Sequence, residues 1–233
     1  MPAGELGLFT IEVNGPQYQT ACCSDAEVLF ISMALGDSEY YLEVCVMQTV
    51  VENKRGWALR DVIFLAIIAI FFGVIYQLWG ASYYFLSATP LKPYANDMTI
   101  GVWLMAGPLA GVLLQKFGAT TIGEVLAAVV EMLLFSSWGA ATLIYGFVQG
   151  IGSELGFAIT GYKNWSKLGL SLSVLTSTIV TFAWDMVNSG YMAYKPSMLI
   201  TLFVIRLISV GLFAGVLVYL INALVAKSGL MKR

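Results

Sequence analysis

Residues 62–85 read VIFLAIIAIFFGVIYQLWGASYYF, a run of 24 residues without a charge and broken only by Gln77. A helix rises about 1.5 Å per residue, so about 20 apolar residues cross the hydrocarbon layer of a bilayer. This run is read as a transmembrane helix, and the chain beyond it repeats the theme. Further apolar runs cover roughly 100–114, 122–138, 141–162, 168–187 and 198–226. The second is short, and its Gly107-Pro108 pair predicts a kink or irregular centre, tolerated where neighbouring helices cover it. The predicted fold is an all-α integral membrane protein built as a bundle of six transmembrane helices.

Composition agrees. Of the 233 residues, 59% are hydrophobic and 11% charged, against about a quarter charged in a soluble domain. The formal charge of −2 offers no basic footprint for nucleic acid. Histidine is absent, which removes imidazole catalysis and imidazole metal sites. Cys22, Cys23 and Cys45 form no metal-type pair and read as free thiols. There is no phosphate-binding glycine loop, no HExxH and no GxSxG elbow. No enzyme activity, cofactor or metal is expected.

Charge divides the chain near Trp57. Residues 1–56 hold eight acidic side chains against Lys54 and Arg55. They are read as an acidic, cytoplasmic N-terminal extension, with weak strand patterns at 26–34 and 40–51. The alternative is that residues 1–46 precede a start at Met47. Residues 57–233 are the membrane domain. Six spans place both ends on one side. Lys54, Arg55, Arg60, Lys116, Lys163, Lys167, Lys227, Lys232 and Arg233 fall on that side, and only Lys92 and Lys195 on the other. The positive-inside rule then makes both termini cytoplasmic. The longest outward connection is 87–99, a lid or a plain connector.

Ionisable groups inside spans are rare and expensive, so each is a default site candidate. They are Glu124, Glu131, Glu154, Asp185 and Arg206. Glu124 and Glu131 are seven residues apart, hence on one helix face about 10 Å apart. Depth sorts the polar residues into two sets. Glu131, Gln149 and Asp185 lie toward the outer end, with Trp138, Tyr145 and Trp184 near in sequence. Trp103 and Tyr191 fall at the same level, where an aromatic belt would also put them. Carboxylates among aromatic faces suit an organic cation. Glu124, Glu154 and Arg206 form the inner set, read as an interhelical polar network that locks the bundle.

Small residues mark close helix approach. Gly146, Gly150, Gly152 and Gly156 form two interlaced pairs in one span, and Gly211 and Gly215 another. Ala66, Ala69 and Gly73 give the first span a smooth side, read as a docking face for a partner protein. The hydroxyls Ser171, Ser173, Thr176, Ser177, Thr178 and Thr181 are expected to bond back to their own helix.

Four segments carry a resemblance: LRDVIFLAIIAIFFGVIYQLWG (59–80), GEVLAAVVEMLL (123–134), YGFVQGIGSELGF (145–157) and FAWDMVNSGYMAYKPSMLITLFVIRLISVGLFAG (182–215). In order and spacing they resemble the YkoE family, the substrate-binding S-components of energy-coupling-factor (ECF) transporters for thiamine and its hydroxymethylpyrimidine precursor. The D-x-x-x-S-G-Y-x-A-Y and I-R-L-I-S elements at 185–194 and 205–209 are the most specific. The resemblance spans about 57–226 and leaves 1–46 without a counterpart. It implies a six-helix S-component in the bacterial cell membrane that binds the vitamin near the outer surface. It also implies partners: a transmembrane coupling subunit and two cytoplasmic ATPase domains. A small ion- or proton-coupled carrier acting alone is the competing reading.

Overall fold

A computed structural model describes residues 57–228. The chain divides into two units, 1–55 and 56–233. The strand patterns, the Met47 start, the three cysteines and the basic residues at 54, 55, 232 and 233 lie outside the described residues. Every element within them is helical. In order these are α1 (Leu59–Ser87), a 3-10 turn (Lys92–Tyr94), α2 (Ala95–Trp103), α3 (Ala106–Leu114), α4 (Ala119–Leu133), α5 (Ala141–Ile159), α6 (Lys167–Asn188), a second 3-10 turn (Tyr191–Ala193), α7 (Pro196–Val210), a π-helical stretch (Gly211–Leu217) and α8 (Val218–Lys227). Four stretches, Leu59–Ser87, Lys92–Leu114, Lys167–Asn188 and Pro196–Lys227, are long and apolar enough to cross a membrane.

α1 shows why the apolar runs become packed helices. Leu65, Ile68, Ala69, Phe72, Gly73 and Tyr76 recur at helical spacing and are buried, while Ile63, Ile67, Ile70, Phe71 and Val74 are exposed on the other side. Apolar residues on both faces are what a helix needs when one side meets protein and the other lipid. Here one expectation is corrected. Ala69 is 3% exposed, and a Cβ on Gly73 would lie 2.5 Å from Val130 of α4. The small side of α1 is an internal contact, not a docking face; of the three residues only Ala66 is exposed.

The glycines of α5 serve two neighbours. Added Cβ atoms would lie 2.5 Å from Ala128 at Gly146 and 2.9 Å from Thr121 at Gly150, both on α4. On the opposite side, one at Gly156 would collide with the Ser173 backbone of α6. Such approaches let side-chain hydroxyls reach across. Ser173 Oγ donates to Ser153 O of α5 at 2.8 Å. Its neighbours behave as expected: Ser171, Thr176, Ser177, Thr178 and Thr181 each donate to a carbonyl of their own helix.

The second span begins earlier than its apolar run suggested. Helix starts by Ala95, not near Ile100, because Asn96 and Asp97 have partners inside the bundle. The expected long outer connection shrinks to residues 88–91 and one 3-10 turn. The irregular centre is a break at Leu104–Met105, just before Pro108. It leaves backbone donors of α3 without helical partners. Tyr76 Oη accepts from Ala106 N at 2.9 Å, and Glu124 Oε2 accepts from Gly107 N at 2.5 Å. Pro108 has no N–H, and Leu109 N donates to Met105 O. The interruption is thereby satisfied inside the protein, as hydrocarbon surroundings require.

Candidate functional site

One end of the bundle opens into a cavity of about 410 Å³. The C-terminal ends of α1, α4 and α6, the N-terminal part of α5 and both 3-10 turns surround it. Glu131, Gln149, Asp185, Trp103, Trp138, Tyr145 and Tyr191 all line it; Trp184, expected beside them, does not. Their convergence follows from direction: α4 and α6 run toward this end and α5 runs away from it. The mouth is aromatic. Trp138 stacks on Tyr84 at 5.7 Å and meets Tyr83 and Trp103 edge-on, each at 5.5 Å between centroids.

The two carboxylates of the cavity differ. Glu131 is 2% exposed and accepts from Trp103 Nε1 at 3.2 Å. Among the described residues it has no ion-pair partner. Asp185 is already matched. Its Oδ2 accepts from Arg206 Nη2 at 2.5 Å and from Asn96 Nδ2 at 2.9 Å, and its Oδ1 accepts from Ser189 Oγ at 3.0 Å. Arg206 also donates through Nε to Asp97 Oδ1 at 2.6 Å. Tyr191 Oη donates to Asp97 Oδ2 at 2.8 Å, and its ring is one of two faces near the guanidinium. Burial, then the Asp97 carboxylate, push the Tyr191 hydroxyl above the usual tyrosine value. It remains a neutral donor.

This corrects the inner network. Arg206 does not pair with Glu124 or Glu154; it joins α2, α6 and α7 behind the cavity wall. The two glutamates act separately, each as a cap on another helix. Glu124 accepts from Tyr76 Oη at 2.8 Å and from the start of α3. Glu154, on α5, accepts from Gly118 N at 2.8 Å and Thr121 N at 3.0 Å at the start of α4. Helix N-termini carry orphan donors and partial positive charge, so an acidic side chain finds hydrogen-bond partners there without a cation.

Sequence reasoning missed several lining residues. Asn96 lay in what read as a loop, and Tyr76 in an unbroken apolar run. Lys92, at the rim, had been counted only for topology. For Asn96 and Asp97 a signal existed: an Asn-Asp pair a few residues before an apolar run, with a lone intramembrane arginine elsewhere needing acceptors.

Arg206 lies between Asp97 and Asp185, Glu131 has no ion-pair partner among the described residues, Lys92 also lines the cavity, and aromatic rings wall the space. A polar–aromatic cavity of this size in a helical membrane protein is a site for a small-molecule ligand, and the comparisons with known proteins give the class, a transporter subunit. Residues 60–180 match the family described as "ABC-type cobalt transport system, permease component". The "Putative HMP/thiamine permease protein YkoE" of Bacillus subtilis (strain 168) is 33% identical over 177 residues, 76% of this chain and 88% of that protein. A solved structure described as "Crystal structure of an S-component of ECF transporter" superposes with a TM-score of 0.71 at 32% identity, covering 76% of this chain and 89% of that one. The chain belongs to the YkoE family of ECF S-components and is a multi-pass protein of the bacterial cell membrane.

Proposed function

We propose that the chain captures thiamine or its hydroxymethylpyrimidine precursor in this cavity and hands it to partner subunits for ATP-driven uptake. The observation that carries the proposal is Glu131: a buried acidic side chain with no ion-pair partner among the described residues, lining a ring-walled cavity. Thiamine combines a fixed thiazolium charge with an aminopyrimidine edge. Glu131 answers the charge, the faces of Trp138, Tyr145 and Tyr191 answer the rings, and Gln149 offers the donor and acceptor the pyrimidine edge needs. Asp185 serves as an acceptor held in place by Arg206.

In this proposal residues 57–233 make six spans with both termini cytoplasmic and the cavity opening outward. α4, with 15 residues, and α5, with 19, complete the set of six. Their polar residues Glu124, Glu131, Gln149 and Glu154 are buried against protein, where they find partners, while Ile122, Leu126, Ile144, Phe147, Ile151 and Leu155 are exposed on the other side. Residues 1–56 are a cytoplasmic extension that ligand capture does not need. The partners are a transmembrane coupling subunit and two cytoplasmic ATPase domains. The charge difference between the candidate ligands matters, because the uncharged pyrimidine alcohol gains less from Glu131 than thiamine does. Mass spectrometry of the small molecule that co-purifies with the detergent-solubilised chain tests the reading. Thiamine or the pyrimidine alcohol supports it; an unrelated molecule overturns it. Uptake that persists with inactive partner ATPases rejects the ATP-driven part.

A further inference from the structure

A second concavity lies on the side of the bundle, away from the ligand cavity. It is a groove of about 300 Å³ between the first two turns of α6 and the π-helical stretch. Leu170 and Val174 form its buried floor. Gly211 and Gly215 leave one wall without side chains, and a Cβ on Gly211 would meet nothing within 4 Å. The π-helical winding of 211–217 is the kind of irregularity that recurs at functional sites. One end carries a charge. Lys167 Nζ sits 5.0 Å from the centroid of the Tyr219 ring, across the end of the groove. From Lys167 to Val174 the groove runs seven residues along α6, about 10 Å at 1.5 Å per residue.

We propose that this groove binds an anionic phospholipid, with one acyl chain on the Leu170–Val174 floor and the headgroup phosphate on Lys167. The argument is complementarity of both parts. An apolar trough that begins beside an ammonium at a helix end has the layout of a lipid lying along a span. Among the described residues Lys167 forms no ion pair. Basic pockets between membrane helices recognise acidic headgroups on this basis. A protein helix laid into the groove would have to displace or bury the Lys167 ammonium, whereas a phosphate takes it as a counter-charge. The inference is independent of the ligand in the main cavity.

Native mass spectrometry of the full chain tests it, with phosphatidylglycerol and phosphatidylcholine of identical acyl chains offered at equal concentration. The wild type retains phosphatidylglycerol in preference by about fivefold or more. Lys167→Gln removes the preference while both lipids still bind. Gly211→Leu, which fills the groove from a helical position with open space, reduces binding of both. The size-exclusion profile and helical circular dichroism of each variant show that it is folded. Equal retention of the two lipids by the wild type overturns the proposal. So does a preference unchanged in both variants, or a Gly211→Leu chain that loses only its assembly with the coupling subunit.

Discussion

Replacing Arg206 with Gln tests the polar wall behind the cavity. Arg206, Asp97 and Asp185 are all buried, at 0%, 0% and 4% exposure, and the guanidinium bonds the two carboxylates at 2.6 and 2.5 Å. Glutamine offers one amide nitrogen on a shorter side chain in place of the guanidinium fork, and it carries no charge. Removing one partner of a buried pair typically costs about 3–5 kcal/mol, because the remaining charge is left uncompensated. Here two carboxylates lose their cation, so the upper part of that range applies. Against a typical total stability of about 5–15 kcal/mol, the variant should unfold far more readily in detergent. Thermal unfolding followed by size-exclusion recovery measures this. Asp97→Asn should cost less, since it leaves Arg206 with Asp185 and keeps an acceptor for Nε. A triple change, Arg206→Met with Asp97→Asn and Asp185→Asn, removes every charge and should recover much of the loss. If Arg206→Gln unfolds within about 1 kcal/mol of wild type, the ion-pair account is wrong.

Glu131→Gln should weaken thiamine binding by about tenfold or more, equivalent to about 1.4 kcal/mol or above, and weaken the uncharged pyrimidine alcohol less; calorimetric titration of both ligands reads the difference. Asp185→Asn should reduce thiamine affinity less than Glu131→Gln does, because Arg206 already opposes its charge. Ala69→Leu should destabilise the chain by about 1–3 kcal/mol through overpacking and impair ligand binding by displacing α1, seen as a lower unfolding temperature with weaker affinity. Deleting residues 2–46 should leave membrane insertion and thiamine affinity unchanged; a loss beyond about tenfold, or 1.4 kcal/mol, would make that segment part of the functional unit.

What the sequence conveyed followed from strong local signals. Apolar runs longer than a bilayer is thick needed little context to be read as helices. Glu131, Gln149 and Asp185 converged because alternating helix directions convert sequence position into depth, and all three line one cavity. Pairing was much less legible. A helix-period pattern in an all-apolar segment does not say which face meets lipid, so the small side of α1 was assigned outward when it packs on Val130. Depth alone also suggested that Arg206 would seek the inner glutamates. Those glutamates had nearer donors in the broken start of α3 and the first turn of α4, which no charge count reveals. Asp97 was concealed by the polarity of its neighbourhood: Lys92, Pro93, Asn96 and Asp97 resemble a loop until Arg206, which donates to Asp97, is placed.

The central claim is that the Glu131 cavity holds the transported ligand, and the protein carries its own reporters for it. Trp103 and Trp138 line that cavity, so a bound heteroaromatic ring should change their fluorescence. Titration of the purified chain with thiamine and with the pyrimidine alcohol should give saturable quenching. At least one ligand should bind with a Kd below about 1 μM, a free energy beyond about −8.2 kcal/mol. Glu131→Gln should shift the thiamine curve to higher concentration. No saturable change with either ligand up to about 1 mM, or a thiamine curve identical in wild type and Glu131→Gln, would contradict the assignment.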